Sequence, residues 1–499
     1  MRARVKKQRP RPARIASASL LLGLLALAPA AGGGGTSAAE DAWPLANHDL
    51  SSTRSAASSG IDRTSVGSLR VAWRFRLHTR PGASGVLTAT PIIAAGVVFV
   101  QDMQSDVYAI DLDTGSLRWE HRFAATNPGP NGVVVAGDRV YGATDTSAFA
   151  LSATTGRQLW RRPLVTSRER FVDVAPQVAG GSVYVSTVGL PPDGAGALYA
   201  LSSATGALRW RRSTIKSPWR IPREAGGGGA WYPPSVDRDT VYWGTANAYP
   251  YGGTKKHSNG GAFAGRALYT DSLLAVARRS GKLAWYDQVT PHDVRDYDFQ
   301  VSPILATIGG RRLLFGAGKA GVVIAWDRAT HRRVWQVGVG IHRSDSGPLP
   351  LHRITICPGL LGGVETPMAF DGSRLFVGVV DLCMRGGSAG YEDLARVDVG
   401  RRGRGELVAL DAATGAASWV QPLPHAVFGC ATVAGGVVFT STLDGRVYGF
   451  GASDGARLWS TRARAGINSC PAVSGSTLLV GAGVPQAGSI TELTAYRTP

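Results

Sequence analysis

Four short phrases that begin between residues 226 and 321 carry the side chains best suited to chemistry. They are Gly226–Trp231 (GGGGAW), Tyr242–Gly253 (YWGTANAYPYGG), Thr290–Leu305 (TPHDVRDYDFQVSPIL) and Gly316–Asp327 (GAGKAGVVIAWD). In RDYD, Asp296 and Asp298 alternate, so an extended segment presents both carboxylates on one face. With the side-chain oxygen of Asn247 they form a hard oxygen set of the kind calcium or a larger trivalent ion prefers. A carboxylate in such a place can also act as a general base towards a hydroxyl within hydrogen-bond reach. Lys319, after Gly318, brings a cation able to stabilise a developing oxyanion. Trp231, behind four glycines that let backbones approach closely, offers a flat floor for an aromatic ligand. Each has a plainer role as well: aspartates and asparagines cap turns, lysines are solvated, tryptophans pack. His292 and Asp293 stand beside the pair without a Ser or Cys nucleophile, which argues against a hydrolytic triad.

The frame for these phrases is a unit that returns seven times: an aliphatic strand, a turn, then Trp. The copies end at Trp119, Trp160, Trp210, Trp285, Trp335, Trp419 and Trp459. Five hold Thr-Gly or Ser-Gly shortly before the Trp, a pair suited to turns in which one residue takes positive φ. The Trp spacings are 41, 50, 75, 50, 84 and 40, so the core unit is about 40 residues and two copies carry insertions. Units of three or four short antiparallel strands at that period must stack to bury both faces, which predicts propeller blades. An eighth Trp, Trp73 in SLRVAWRF, has no strand set in front of it, whereas Cys470–Pro499 has strands and no closing Trp. The two fragments complement one another. The expected fold is therefore all-β: an eight-bladed β-propeller of four-stranded antiparallel blades, closed by pairing of the N- and C-terminal strands.

Residues 1–39 read as a secretory signal with a Gly-rich spacer, and residues 40–499 as a single propeller domain. Seven Lys or Arg and no acid precede Ile15, followed by the apolar run ASLLLGLLALAPA and small residues. That run is too short for a stable span, and no later stretch reaches about 18 apolar residues, so no transmembrane segment is expected. The mature chain is expected outside the cytoplasm, secreted or in the periplasm or cell envelope. Without those seven cations, 47 Lys and Arg remain against 35 acids, a surplus that favours anionic envelope contacts. The Arg residues form no stripe interleaved with aromatics, which argues against nucleic-acid binding. Four Cys in an oxidising compartment allow three pairings. Cys430 and Cys470 occupy equivalent places in consecutive units, and Cys357 and Cys383 then flank one insertion. There is no CxxCH and hence no covalent haem.

Taken in order, GTAN, PHDVRDYD and GKAG resemble the quinoprotein alcohol dehydrogenases, eight-bladed propellers that hold pyrroloquinoline quinone and a calcium or lanthanide ion. WPLANHDLSSTRS (Trp43–Ser55) is similar to the opening of that family, and Cys357–Met384 to a segment ahead of a blade. The resemblance implies that Trp231 stacks under the quinone, that Asn247 binds the metal and that Asp296 is the catalytic carboxylate. It implies further that Asp298 is the extra aspartate of lanthanide users, and that Lys319 contacts the quinone oxygens. Several positions depart from the pattern. Arg295 stands where Trp precedes the catalytic Asp, Asn131 replaces an Arg, Thr88 replaces an acid, and the vicinal Cys pair has no counterpart. The metal-binding Glu aligns near Pro191, where Asp193 is the nearby carboxylate. The implied activity is oxidation of an alcohol, sugar or polymeric alcohol, with electrons leaving to a separate acceptor. Two other readings fit the same repeats: a noncatalytic envelope scaffold or sensor resembling assembly-factor propellers, and a glycan- or polymer-binding module.

Overall fold

The computed structural model describes residues 42–78, 87–127, 129–216, 219–263, 265–486 and 488–499, all within one compact unit. The expected leader, residues 1–39, lies outside the described residues. Among these residues no helix is long and apolar enough to cross a membrane.

The aliphatic runs of the repeat become strands, and each unit folds as an antiparallel meander. The first comprises Ile92–Ala94, Val97–Gln101, Val107–Asp111 and Leu117–His121, paired in that order. Equivalent meanders occupy residues 134–163, 177–213, 235–288, 304–338, 369–423 and 432–462. In a further sheet Ala472–Ser474, Thr477–Ala482 and Glu492–Arg497 take their outer strand from Arg70–Arg76, with Trp73 opposite Ala495 and Phe75 opposite Leu493. The fragment ending at Trp73 thus supplies the strand that the C-terminal unit lacks. Val97–Gln101 is buried along its whole length, while Leu117–His121 is exposed or half-buried. Such a gradient arises when inner strands are covered on both faces by neighbouring sheets. The only α-helix among the described residues is the single turn Val399–Arg402.

The Trp and the Gly of the repeat prove to be partners across sheets. A methyl group on Gly156 would meet the Trp119 ring at 2.5 Å, and the Trp119 indole N–H donates to Ala153 O at 2.9 Å. The same docking joins Trp73 to Gly115, Trp160 to Gly206, Trp210 to Gly281, Trp335 to Gly415 and Trp419 to Gly455. Where Gly is replaced by His331, the imidazole takes φ 61° and stacks on Trp285 at 4.8 Å. The turn glycine is therefore needed twice over, for its positive φ and for the ring above it. Gly156→Ala is expected to cost about 2–3 kcal/mol, because strain and overpacking add. Gly137→Ala, also at positive φ but facing open space, should cost only about 1 kcal/mol; urea midpoints compare the two.

The opening phrase forms a strap rather than a blade. Trp43 exchanges backbone hydrogen bonds with Ile93, and Pro44, Leu50, Ser51, Thr53 and Arg54 each accept one from the first strand of a different sheet. The donors are Val135, Val236, Leu305, Phe370 and Val433. Fully buried Arg54 pins the strap by donating to Ala431 O, Ala46 O, Asn47 Oδ1, Thr432 Oγ1 and Pro471 O. Disulfides join Cys357 to Cys383 across the insertion and Cys430 to Cys470 between consecutive sheets.

Candidate functional site

Glycines at strand ends let the Asp-bearing segment lie between two sheets. Strand Thr240–Gly244 leads to Asn247, and strand Arg311–Gly318 leads to Lys319. A Cβ on Gly244 would stand 2.2 Å from Phe299 O, and one on Gly318 2.1 Å from Asp298 O, so neither position admits a side chain without a shift. The backbone sets the register: Phe299 N donates to Thr245 O at 3.2 Å and Lys319 N to Asp298 O at 3.0 Å.

Four of the singled-out residues meet there. Asn247 Nδ2 donates to Asp296 Oδ1 at 2.7 Å, and Asn247 N to Asp298 Oδ1 at 2.6 Å. Lys319 Nζ lies 2.9 Å from Asp296 Oδ2 and 2.7 Å from Asp298 Oδ2. All four are buried, Asp298 completely. Burial pushes Asp296 well above the usual carboxylate range, against the pull of Lys319. Burial also opposes the charge of Lys319, but Asp296, Asp298 and Glu365 outweigh it and hold the ammonium well above its ordinary value. Lys319 is therefore the fixed cation of the site.

Trp231 is brought to the neighbouring stretch rather than into this group. Gly229 O accepts from Ala246 N at 3.0 Å and Gly228 N donates to Asn247 O at 2.8 Å, which sets the glycine run beside Asn247. The Trp231 ring, half-buried, packs 6.2 Å from that of Phe171, and its indole N–H is buried without a hydrogen-bond partner. His292 is spent on structure, its two ring nitrogens facing Gly265 O at 2.6 Å and Asn259 O at 2.9 Å. Asp193 is exposed. Thr88 and Asn131, where the resemblance implies an acid and an Arg, form a neutral pair at 3.1 Å.

The structure adds acids that the sequence reading passed over. Asp173 and Asp271 are fully buried, neither has a well-formed hydrogen bond to its carboxylate, and burial together with nearby carboxylates, Asp298 among them, pushes both well above the usual range. Burial raises Glu365 to about 7, and also Asp293, already noted beside the Asp pair, to about 6. Asp173 and Glu365 precede Pro176 and Pro367 at the entrances to two sheets, so an acid just ahead of such a Pro was the available signal. Among the described residues no three His, Cys, Asp or Glu side chains are gathered as a ready ligand set. Asn247, Asp296 and Asp298 contribute one amide and two carboxylates. The chemistry of that donor set, all oxygen with two carboxylates, fits a hard cation.

These shifts have a consequence for stability. A carboxyl whose pKa is raised on folding holds its proton more tightly in the native state, so stability falls as pH rises from the unfolded value towards the folded one. For Glu365 and Asp293 that window runs from about pH 4 to about pH 7. Asp327, held down to about 2 by the amides of Thr330 and Ala329, acts in the opposite sense and only in more acid solution. The metal-free protein is expected to be more stable at pH 5 than at pH 8, by roughly 2–3 kcal/mol from Glu365 alone. Urea unfolding at the two pH values measures it, and equal midpoints would refute it.

A PQQ-repeat family model described as "Outer membrane protein assembly factor BamB" matches residues 38–132, 59–336 and 319–498. Quinohemoprotein alcohol dehydrogenase ADH IIB of Pseudomonas putida is 28% identical over 484 residues, covering 82% of this chain and 68% of that protein. The crystal structure of quinohemoprotein alcohol dehydrogenase from Comamonas testosteroni superposes with a TM-score of 0.77 at 21% identity, over 92% of this chain and 80% of that one. A europium-containing methanol dehydrogenase gives a TM-score of 0.76 at 20% identity, over 92% of this chain and 98% of that one.

Proposed function

Because the chain belongs to the PQQ-repeat β-propeller family, we propose that it is an exported quinoprotein-type dehydrogenase that oxidises an alcohol with pyrroloquinoline quinone and a calcium or lanthanide ion. The observation that carries this reading is the meeting, in one buried site, of Asn247 and Lys319, which follow strands of two sheets, with Asp296 and Asp298 from the segment between those sheets. On this reading the eight sheets are eight blades, closed by the pairing of Arg70–Arg76 with Glu492–Arg497, and residues 1–39 are removed on export.

Asn247, Asp296 and Asp298 would hold the metal, while Lys319 and Trp231 would hold the quinone. When bound, the pair supplies a polarised carbonyl that accepts hydride from the carbinol carbon. The chain itself supplies the base: Asp296 takes the hydroxyl proton. Lys319 keeps Asp296 oriented and offers its charge to an oxygen that becomes anionic. The low exposure of all four residues excludes water from the reacting atoms.

The test is reconstitution of purified residues 40–499 with the quinone and Ca²⁺ or La³⁺, following dye reduction with simple alcohols. Absence of both a quinone-dependent absorbance and a metal-dependent thermal shift would sink the enzymatic reading. It would favour the second one, a noncatalytic envelope scaffold or sensor, which the neutral Thr88–Asn131 pair recommends.

A further inference from the structure

We infer that Arg295 is a positioning residue for the candidate base Asp296, and that it hangs the Asp296 loop from the disulfide-stapled insertion; this rests on the dehydrogenase reading above. The loop is odd in its backbone. Asp296 is a non-glycine residue at φ 65°, a conformation that persists only where neighbours over-determine it.

Those neighbours are Asp293 within the loop and the segment from Ser344 to Pro358. The Asp293 carboxylate accepts from Arg295 N at 2.8 Å and Tyr297 N at 2.6 Å, and so straddles Asp296. The Arg295 guanidinium, buried and next to Asp296, donates to Ser344 O at 2.9 Å and to Ser346 O and Gly347 O at 2.8 Å each. Tyr297 Oη donates to Pro358 O at 3.1 Å, next to Cys357 of the disulfide. Asp293, Arg295 and Tyr297 line one wall of a cleft of about 540 Å³, and residues Asp345–Pro348 of the insertion line another, so the guanidinium links the two walls. The labour is divided along the segment: Arg295 and Tyr297 reach the insertion, while Asp296 and Asp298 pair with Lys319.

Three charge-assisted hydrogen bonds in a fixed fork make a clamp that neither an aromatic ring nor a lysine ammonium reproduces. Arg295 thus ties the geometry of Asp296 to a surface insertion with no catalytic group of its own. A displacement near 1 Å at a reacting group costs up to about a hundredfold in rate.

Arg295→Ala and Arg295→Lys, compared with wild type in the full mature chain, test the inference with three readouts. The expected result for Arg295→Ala is a kcat lowered about 10- to 100-fold with KM within about twofold. Tb³⁺ luminescence should report affinity weakened about tenfold, and hydrogen exchange should speed up together in residues 292–299 and 343–349 while Thr432–Arg462 is unchanged. Arg295→Lys should recover only part of each effect. Unchanged exchange in 292–299, or faster exchange spread evenly over all sheets, would overturn the inference. If wild type neither turns over alcohol nor binds Tb³⁺, the dehydrogenase reading fails, while the exchange arm still decides whether Arg295 sets the loop.

Discussion

Asp296→Asn is expected to lower quinone-dependent alcohol oxidation by about a hundredfold to ten-thousandfold, the range over which a positioned general base contributes. The substitution keeps the side-chain shape and removes the proton acceptor. It also turns an amide N–H₂ towards either Asn247 Nδ2 or Lys319 Nζ, both of which are donors to Asp296 in the native site. Lys319 keeps its ion pair with Asp298, so the cation stays compensated and the fold should survive. Steady-state dye reduction at saturating quinone and metal measures the loss, with circular dichroism as the control for folding. Turnover within tenfold of wild type would remove Asp296 from the role of base.

Arg54→Met is expected to be the most destabilising single change outside the site, at about 3–5 kcal/mol. Methionine reproduces only the apolar stem of Arg54, so the loss combines the stranded hydrogen-bond partners with the space that the guanidinium vacates. Burial pulls the guanidinium down, to about 9, which leaves it protonated at neutral pH. Five acceptors surround it, drawn from the strap and from the two sheets at residues 432–462 and 472–497. Stranding buried acceptors costs about 1–3 kcal/mol each before relaxation, offset in part because a buried charge without an ionic partner is removed with them. The urea midpoint reads the effect, and hydrogen exchange should place it first in Trp43–Ala56. A loss below about 1 kcal/mol would show that the strap is held by its backbone hydrogen bonds alone.

The repeat made the architecture legible. Strand, turn and Trp recur with local chemistry that does not depend on distant residues, so alternating aliphatics and turn glycines mark each meander where it lies in the chain. Counting the Trp residues assigned Trp73 to the C-terminal sheet; of the three pairings open to four Cys, the structure takes the one that joins Cys430 to Cys470. Asn247, Asp296, Asp298 and Lys319 stood out as departures from the repeat, and the structure brings them together. Asp173 and Glu365 did not stand out, because a single acid ahead of a Pro looks like any turn residue until burial strips it of water.

By itself, then, the sequence determined the all-β meanders, the partner strand for the C-terminal sheet and the residue types able to do chemistry, since each depends on short-range pattern and spacing. Only the tertiary structure decided the rest. It set Lys319 between two carboxylates, drew the opening phrase beneath the sheets around Arg54, placed six of the Trp rings over the glycine of the next unit, and hung the Asp296 loop from the insertion through Arg295. Those contacts join positions tens to hundreds of residues apart. Their energies come from close approach and desolvation, quantities that exist only once the sheets have packed.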